Sequence, residues 1–200
     1  MMNTGEPTRP RPAATVLLLR GGDALLEVLL VQRNPAARFM AGTWVFPGGA
    51  VDPHEGEGDP AHRLAAIREV EEETGVRLPD PSALVLVSRW ITPAAFAIRF
   101  DTYFFLAGMP PGQEVRVDAA ECVDHGWFTP QTALERFREG RLKLVLPTIR
   151  HLERLAPMRT AAEALDSLRD SDVEVVEPRI VDSGEDVRVE IPHELRETDA

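Results

Sequence analysis

The most informative segment of the sequence spans residues 48–76 and reads GGAVDPHEGEGDPAHRLAAIREVEEETGV. It begins with Gly48 and Gly49, which follow a short strand-like segment at 43–47. Glycines let a backbone group approach a ligand or a metal closely, although a plain turn is the commoner use of a Gly-Gly pair. An acidic loop comes next, and the spacing of the residues after it predicts a helix over 60–74.

The ends of this helix are marked by residues with clear capping preferences. Asp59 is a good N-cap, and Pro60 suits the first helical position, where its missing N–H is not needed. Gly75 stands where a left-handed residue commonly ends a helix. Apolar positions recur at three- and four-residue steps and predict a stripe that packs on a sheet: Leu64, Ile67, Val70 and Thr74.

Three glutamates share one face of the predicted helix close to its C-terminal end. Glu69, Glu72 and Glu73 stand at i, i+3 and i+4, where the helix dipole and mutual repulsion both disfavour negative charge. Arg68 relieves only part of this repulsion. A hard divalent cation such as Mg²⁺ or Mn²⁺ would resolve it, because these ions favour carboxylate oxygens and phosphates. A solvated acidic surface is the alternative interpretation.

The whole stretch resembles the signature of the Nudix hydrolase family. In that signature a glycine and five residues lead to a glutamate, and seven residues then lead to Arg-Glu-aliphatic-x-Glu-Glu-x-Gly-aliphatic. Here Gly49 leads to Glu55 at the right spacing. The second half matches without a gap, at Arg68, Glu69, Val70, Glu72, Glu73, Gly75 and Val76.

The departure lies between the two halves, since twelve residues separate Glu55 from Arg68. Counting back seven residues places Pro60 in the glutamate position, so the loop is about five residues longer than usual. In the family the first glutamate mainly braces the loop. Glu55 is one candidate for that role here, and Glu57 or Asp59 is an alternative.

The resemblance implies roles for particular residues. Glu72 and Glu73 would be ligands of Mg²⁺ or Mn²⁺, and Glu69 would be a ligand or a general base. Arg68 would orient the glutamates, and Gly49 would offer its backbone carbonyl to the metal. These four helix side chains form the predicted catalytic set.

Many members of the family supply one further acid from a loop before a late tryptophan. Glu121, six residues before Trp127, is the predicted additional ligand, with Asp118 as the second choice. A plain surface acid is the competing interpretation of this residue.

Outside the signature the resemblance continues less specifically over about residues 14–155, and there the chain looks like the branch that contains peroxisomal-type coenzyme A diphosphatases. The resemblance implies an α/β/α sandwich with a mixed β-sheet. It also implies metal-dependent cleavage of a diphosphate in a nucleoside diphosphate linked to a second moiety, X. Coenzyme A, ADP-ribose, dinucleotides and oxidised nucleotides all remain open as substrates.

Candidates for substrate binding are less specific. Predicted contacts come from Arg33 and Arg89, in or beside strands, and from the backbone of Gly48 and Gly49. Exposed strand charges would explain the arginines equally well. Aromatic side chains that could stack on a base are more often core residues: Phe39, Trp90 and Phe96.

The remaining segments predict a mixed α+β or α/β layered domain. Strand-like segments fall at 14–20, 25–33, 83–92, 99–107, 114–118 and, as two short candidates, within 173–191, with turns at Gly21-Gly22-Asp23 and Ser183-Gly184. Further helices are predicted from Pro130 to Gly140, from Pro147 to Leu155 and from Thr160 to Leu168. The predicted organisation is a disordered tail at 1–13, a catalytic domain at 14–155, and an appended helix with short strands at 156–200.

Net charge and composition argue against some classes of binding partner. A formal net charge of -11 argues against nucleic acid, and no apolar run is long enough for a membrane helix. The lone Cys122, interpreted as a small buried residue, favours a reducing cytoplasm. The five histidines show no ligand spacing and are interpreted as surface residues. A small diphosphate is the expected partner, and a homodimer stays open.

Two other functions compete with the enzyme. A non-catalytic module of the same fold would bind a nucleotide without hydrolysing it, but such modules often lose the signature glutamates, which are retained here. An interaction domain with an acidic surface helix is the plainest alternative.

Overall fold

The computed structural model describes residues 8–21, 25–37, 39–182 and 187–191. Most of the predicted N-terminal tail, most of the Gly21-Gly22-Asp23 turn and all of Ser183-Gly184 lie outside these ranges. The strand that follows the tail begins at Arg11, inside the segment predicted to be disordered. Within the described ranges, no helix is long and apolar enough to span a bilayer.

The described residues form strands and helices in a mixed order. The strands are β1 Arg11–Arg20, β2 Glu27–Arg33, β3 Trp44–Val45, β4 Gly48–Ala50, β5 Val85–Ile91, β6 Phe100–Gly108, β7 Cys122–Phe128, β8 Glu174–Val176, β9 Arg179–Asp182 and β10 Val187–Glu190. The helices are α1 Gly58–Thr74, α2 Pro130–Arg138, α3 Leu146–Leu155 and α4 Ala161–Arg169. Short 3₁₀ turns lie at Pro53–Glu55 and Pro81–Ala83.

One mixed sheet organises the molecule, in the order β3-β2-β1-β6-β5-β8. β1 and β6 run parallel over nine residue pairs, from Arg11↔Phe100 to Leu19↔Gly108. The opposite edge of β1 is divided, because β4 pairs with it at one end and β2 at the other. β7 pairs with the free edge of β2, and β9 and β10 pair with each other separately.

Apolar side chains cover both faces of this sheet. One core includes Val70 and Val76 of the α1 layer, together with Phe105 of β6. The other includes Leu134, Leu152 and side chains of α4. Side chains on both faces of the strands are therefore buried, and the predicted α/β/α sandwich is confirmed.

α1 begins two residues earlier than predicted. Gly58 opens it, and the N-cap position belongs to Glu57, which makes no side-chain cap. Asp59 instead pairs with Arg63 one turn later, at 2.5 Å. Gly75 closes the helix with φ of 69°, as the sequence predicts, and its N–H donates to the Glu71 carbonyl.

The packing face of α1 also differs from the prediction. Leu64 is 46% exposed, although the apolar periodicity placed it against the sheet. The buried positions are mostly small, namely Ala61, Ala65, Ala66 and Val70. Small side chains allow the helix to lie close to the sheet. The helix face that is buried in this way also carries Glu73, which is buried as well.

Two further predictions concern the later part of the chain. Residues 114–118 are not a strand, and Arg116 N–H donates to the Thr74 carbonyl at the end of α1. The helix predicted from Thr160 to Leu168 is confirmed as α4, with Thr160 as its N-cap, since Thr160 Oγ1 accepts from Glu163 N–H at 3.1 Å.

The prediction that all histidines are surface residues is wrong for His62 and His151, which are buried. His193 lies outside the described residues. His151 Nδ1 lies 2.6 Å from the Pro147 carbonyl, and Nε2 lies 2.7 Å from Ser88 Oγ. Since a carbonyl only accepts, Nδ1 carries the proton and Nε2 accepts from the serine. Burial lowers the pKa of His151 to about 4.

This histidine makes stability depend on pH. The folded state keeps His151 neutral while the unfolded state takes up a proton below an ordinary pKa of 6.5, so acidification favours unfolding between pH 6.5 and 4. Glu73, whose pKa is raised, acts in the opposite direction. We therefore expect the stability advantage of wild type over His151→Gln, without added metal, to shrink by about 2 kcal/mol from pH 7 to pH 5. Urea unfolding at both pH values measures it, and a constant difference would contradict it.

Candidate active site

The C-terminal half of α1 lies against β4, so the loop glycines and the glutamates meet. Gly48 N–H donates to Glu73 Oε2 at 3.0 Å. A Cβ added at Gly49 would lie 2.4 Å from Glu69 Oε1, well inside van der Waals contact. The Gly-Gly pair is therefore more than a turn, because Gly49 makes room for a carboxylate.

Arg68 is the centre of the hydrogen-bond network beside these glycines. Its Nη1 donates to Glu69 Oε1 at 2.7 Å and to Glu72 Oε2 at 3.0 Å, and Nη2 donates to the Ala50 carbonyl at 2.9 Å. Its Nε donates to Glu55 Oε1 at 3.0 Å. Burial lowers the pKa of Arg68, but the hydrogen bonds to Glu55 and Glu69 outweigh burial and raise the pKa above its ordinary value.

Glu55 reaches Arg68 despite the expanded loop. Its side chain is 6% exposed, and its Oε2 accepts the Asp52 N–H at 2.7 Å. Burial works against its negative charge, but the Arg68 hydrogen bond and the Asp52 N–H hold its pKa below the ordinary value. Glu57 and Asp59, the alternatives, make no such contact with Arg68 among the bonds described above. Only Gly56 and Glu57 separate Glu55 from the helix, so most of the segment between Glu55 and Arg68 belongs to α1 itself.

The predicted metal-binding glutamates differ in their surroundings. Glu72 is exposed, with 59% of its side chain accessible, whereas Glu69 and Glu73 are largely buried. Burial raises the pKa of Glu69, and the charges of Glu72 and Glu121 raise it further against the effect of Arg68. Burial also raises the pKa of Glu73 to about 7, although Gly48 N–H opposes the shift.

Of the two predicted loop acids, Glu121 is electrostatically coupled to Glu69. Asp118 has a different task, because its carboxylate accepts the backbone N–H groups of Glu121 and Cys122. Those bonds lower the pKa of Asp118 despite the opposing cost of burial. Asp118 therefore shapes the turn that presents Glu121, which remains the predicted additional ligand.

Across the described ranges, no three His, Cys, Asp or Glu side chains are gathered into a ready-made cation cage. Glu69 and Glu72 form ion pairs with Arg68, and Glu73 accepts a hydrogen bond from Gly48 N–H. Their chemistry nevertheless suits a hard divalent cation, since carboxylate oxygens are its preferred ligands. Two of them are buried with raised pKa values, so an added positive charge would be favourable there. Their metal role stays a prediction.

The two arginines predicted to bind substrate lie in different places. Arg33, at the end of β2, has a charge that lowers the pKa of Glu73, and within the described chain its buried Nε has no hydrogen-bond partner. Arg89 lies on β5, with β6 and β1 between it and β4. Its guanidinium is bound by both oxygens of Asp101, at 2.7 and 2.6 Å. The structure therefore does not bring Arg89 to the glutamates.

Sequence reasoning missed one neighbour of the carboxylates. Cys122 is fully buried, as predicted, and burial together with the negative charge of Glu73 raises the pKa of its thiol. Trp90 is a core residue, in agreement with the preferred interpretation of the aromatics. Only the antiparallel pairing of β2 with β7, which joins Arg33 to Cys122, brings this thiol to α1.

Known proteins are similar to this chain in sequence and in fold. A family model described as the NUDIX domain matches residues 9–146. A crystal structure of a NUDIX hydrolase from Alicyclobacillus acidocaldarius is 29% identical, with a TM-score of 0.72, and the match covers 82% of this chain and 99% of that one.

Two curated relatives match over a smaller part of their length. Putative nudix hydrolase 7 of Caenorhabditis elegans is 26% identical, over 74% of this chain and 61% of the relative. The human acyl-coenzyme A diphosphatase NUDT19 is also 26% identical, over 75% of this chain and 63% of the relative. The chain thus spans about three fifths of the length of these relatives.

Proposed function

The chain belongs to the NUDIX domain family, and on that premise we propose that it is a divalent-metal-dependent hydrolase of a nucleoside diphosphate linked to another moiety. The observation that carries the proposal is the meeting of Glu69 and Glu73 with the Gly48-Gly49 backbone. This meeting joins both halves of the family signature in one place, despite the longer loop between them.

The side chains described above suit hydrolysis by an activated water. When bound, Mg²⁺ or Mn²⁺ would supply charge neutralisation on the phosphate oxygens and a more acidic water. Glu72 and Glu73 would hold the ion, with the Gly49 carbonyl and Glu121 as further ligands. Glu69 would be either another ligand of the ion or the general base that accepts a proton from the attacking water.

Two arginines would have separate roles, one in orienting the carboxylates and one in binding the substrate. Arg68 holds the carboxylates in place through bonds to Glu55, Glu69 and Glu72. We propose that Arg33 binds a phosphate oxygen of the substrate, since its charge acts on the Glu73 carboxyl and its Nε is without a protein partner among the described residues. A charge-assisted bond to phosphate would satisfy that buried donor.

The moiety X is proposed to be coenzyme A or a related nucleotide. The support is the likeness to a human protein named as an acyl-coenzyme A diphosphatase. We propose a cytoplasmic location from the cysteine content, and a small diphosphate rather than nucleic acid as the partner from the net charge.

A screen of diphosphate-linked metabolites tests the function. We expect coenzyme A, an acyl-coenzyme A, ADP-ribose or a dinucleotide to be cleaved at its diphosphate when Mg²⁺ or Mn²⁺ is supplied, and turnover to be abolished by EDTA. Mass spectrometry of the products in ¹⁸O-labelled water identifies both the substrate and the phosphorus that water attacks. Binding without turnover of any compound would instead favour a non-catalytic module. That alternative is consistent with the ion pairs that Arg68 forms with Glu69 and Glu72.

A further inference from the structure

The turn that carries Glu121 is joined to the end of β2 by one asparagine. Asn34 follows Arg33, the last residue of β2, and is bonded to the turn formed by residues 118–122. Its backbone N–H donates to the Glu121 carbonyl at 2.8 Å, and its side-chain Nδ2 donates to the Ala120 carbonyl at 2.9 Å. Both bonds have ordinary lengths. Two successive carbonyls of the turn are therefore held by a single residue that is distant along the chain.

The same turn is also held from within. The Asp118 carboxylate accepts the N–H groups of Glu121 and Cys122, each at 2.9 Å, and Ala119 N–H donates to the Cys122 carbonyl at 3.0 Å. Ala119 has a φ of 62°, a left-handed conformation that costs free energy in a residue other than glycine. Such a conformation persists only where the surrounding contacts fix it. Asn34 supplies two of these contacts from outside the turn.

The side chain of Asn34 has a second bond, within its own loop. Its Oδ1 accepts the Ala36 N–H at 2.9 Å, and its backbone carbonyl accepts the Ala37 N–H at 2.9 Å. Asparagine commonly closes a turn in this way, so local structure accounts for the amide oxygen. Local structure does not require the amide nitrogen, whose bond reaches the Ala120 carbonyl.

We propose that Asn34 is a positioning residue for Glu121: its N–H and Nδ2 groups fix the 118–122 turn in the orientation that presents the Glu121 carboxylate to the divalent cation. The inference rests on the proposed function, because that function assigns Glu121 to the metal. The charge of Glu121 acts on the Glu69 carboxyl, so the turn lies within electrostatic reach of the glutamates of α1. Groups that hold a metal ligand in place typically change metal affinity by 10- to 100-fold when removed. Asn34 acts through the backbone of the turn, so the lower end of that range is expected.

Closure of its own loop is the competing explanation for Asn34. Asn34→Ser separates the two, because a serine hydroxyl still accepts the Ala36 N–H but has no amide nitrogen to reach the Ala120 carbonyl. The substitution leaves the net charge unchanged. Gln113→Ser is the matched control, since Gln113 Nε2 likewise donates to a backbone carbonyl of a distant segment, that of Arg77, at 3.0 Å.

Mn²⁺ titration followed by electron paramagnetic resonance, without substrate, compares wild type, Asn34→Ser, Glu121→Gln and the double variant. We expect Asn34→Ser to bind Mn²⁺ about 10-fold more weakly than wild type. In the Glu121→Gln background the same substitution should change the affinity by less than about 2-fold, because the two residues act as a unit. Gln113→Ser should leave Mn²⁺ affinity unchanged. An equal loss in both backgrounds, or no loss in either, would overturn the proposal.

Nuclear magnetic resonance tests the bond itself without any metal. The chain contains two asparagines, Asn3 and Asn34, so ¹⁵N labelling of asparagine side chains gives two amide groups. The signal that disappears in Asn34→Ser identifies Asn34. Its protons should exchange with solvent more slowly than those of free asparagine, and exchange as fast as in free asparagine would overturn the proposal.

The proposed function can fail separately. In that case wild type would show neither Mn²⁺ binding nor turnover, although the Asn34 amide would still exchange slowly. If wild type binds Mn²⁺ and cleaves substrate but Glu121→Gln binds the ion as tightly, the inference alone is wrong. If Asn34→Ser does not fold, Asn34→Thr takes its place, since threonine also keeps a hydroxyl and lacks the amide nitrogen. The comparison with and without Glu121→Gln then gives the same decision.

Discussion

Replacing Glu72 with glutamine should lower kcat with saturating Mg²⁺ by about 10²- to 10³-fold, the size expected when electrostatic stabilisation of a transition state is lost. The substitution keeps the shape of the side chain and removes its charge. Glu72 is largely exposed, so the fold should be unaffected and the effect should appear in catalysis alone. Initial rates on the substrate found in the metabolite screen provide the measurement.

The preceding residue offers a matched control. Glu71 lies on the same helix but points away from the glycine loop and pairs with Arg77 at 2.7 Å. Glu71→Gln removes the same charge from α1 and should leave kcat within about 2-fold of wild type, because exposed ion pairs contribute little. A Glu72→Gln enzyme as active as the Glu71→Gln enzyme would show that the metal assignment is wrong.

Replacing Arg68 with methionine should destabilise the protein by about 3 to 5 kcal/mol, the cost of leaving buried charges without their partner. The arginine is only 23% exposed, and the carboxylates of Glu55 and Glu69 are more buried still. Without Arg68 these two groups repel or must take up protons. The penalty, measured by urea unfolding at pH 7, should therefore become smaller at pH 5.

Arg77→Met is the corresponding control. It removes a guanidinium that also bonds a glutamate of α1, but 79% of that side chain is exposed. A loss of less than about 1 kcal/mol is expected there. If both substitutions cost the same, the buried network around Arg68 is not a source of stability, and its role in orienting the glutamates loses its support.

The sequence predicted α1 well because local signals agreed with one another. Gly75 ends the helix as its left-handed preference requires, and the glutamate spacing placed Glu69 and Glu73 on one side. The exposed Leu64 shows the limit of such periodicity. Which apolar stripe faces a sheet depends on how closely the helix can approach it, and small side chains such as Ala65 and Ala66 decided this.

The remaining site depends on contacts that are distant along the chain. Counting residues did not decide which acid of the longer loop braces Arg68, because the length of the loop does not show how its extra residues are arranged. The structure shows that Glu55 contacts Arg68. The influence of the Glu73 charge on Cys122 likewise joins residues far apart along the chain, because Cys122 begins a strand, β7, that pairs with β2. Buried histidines such as His151 also escape prediction, since their burial depends on packing between elements.

The divided edge of β1 has a consequence for ligand capture. Gly48, Gly49 and Ala50 form rungs with residues 13–15 of β1, whose other edge joins β6. The loop that faces the carboxylates is thus paired with a central strand of the sheet, and those of its amides that donate to β1 should be protected from hydrogen exchange. A ligand arriving there meets a surface that is already rigid, so little conformational entropy remains to be lost on association.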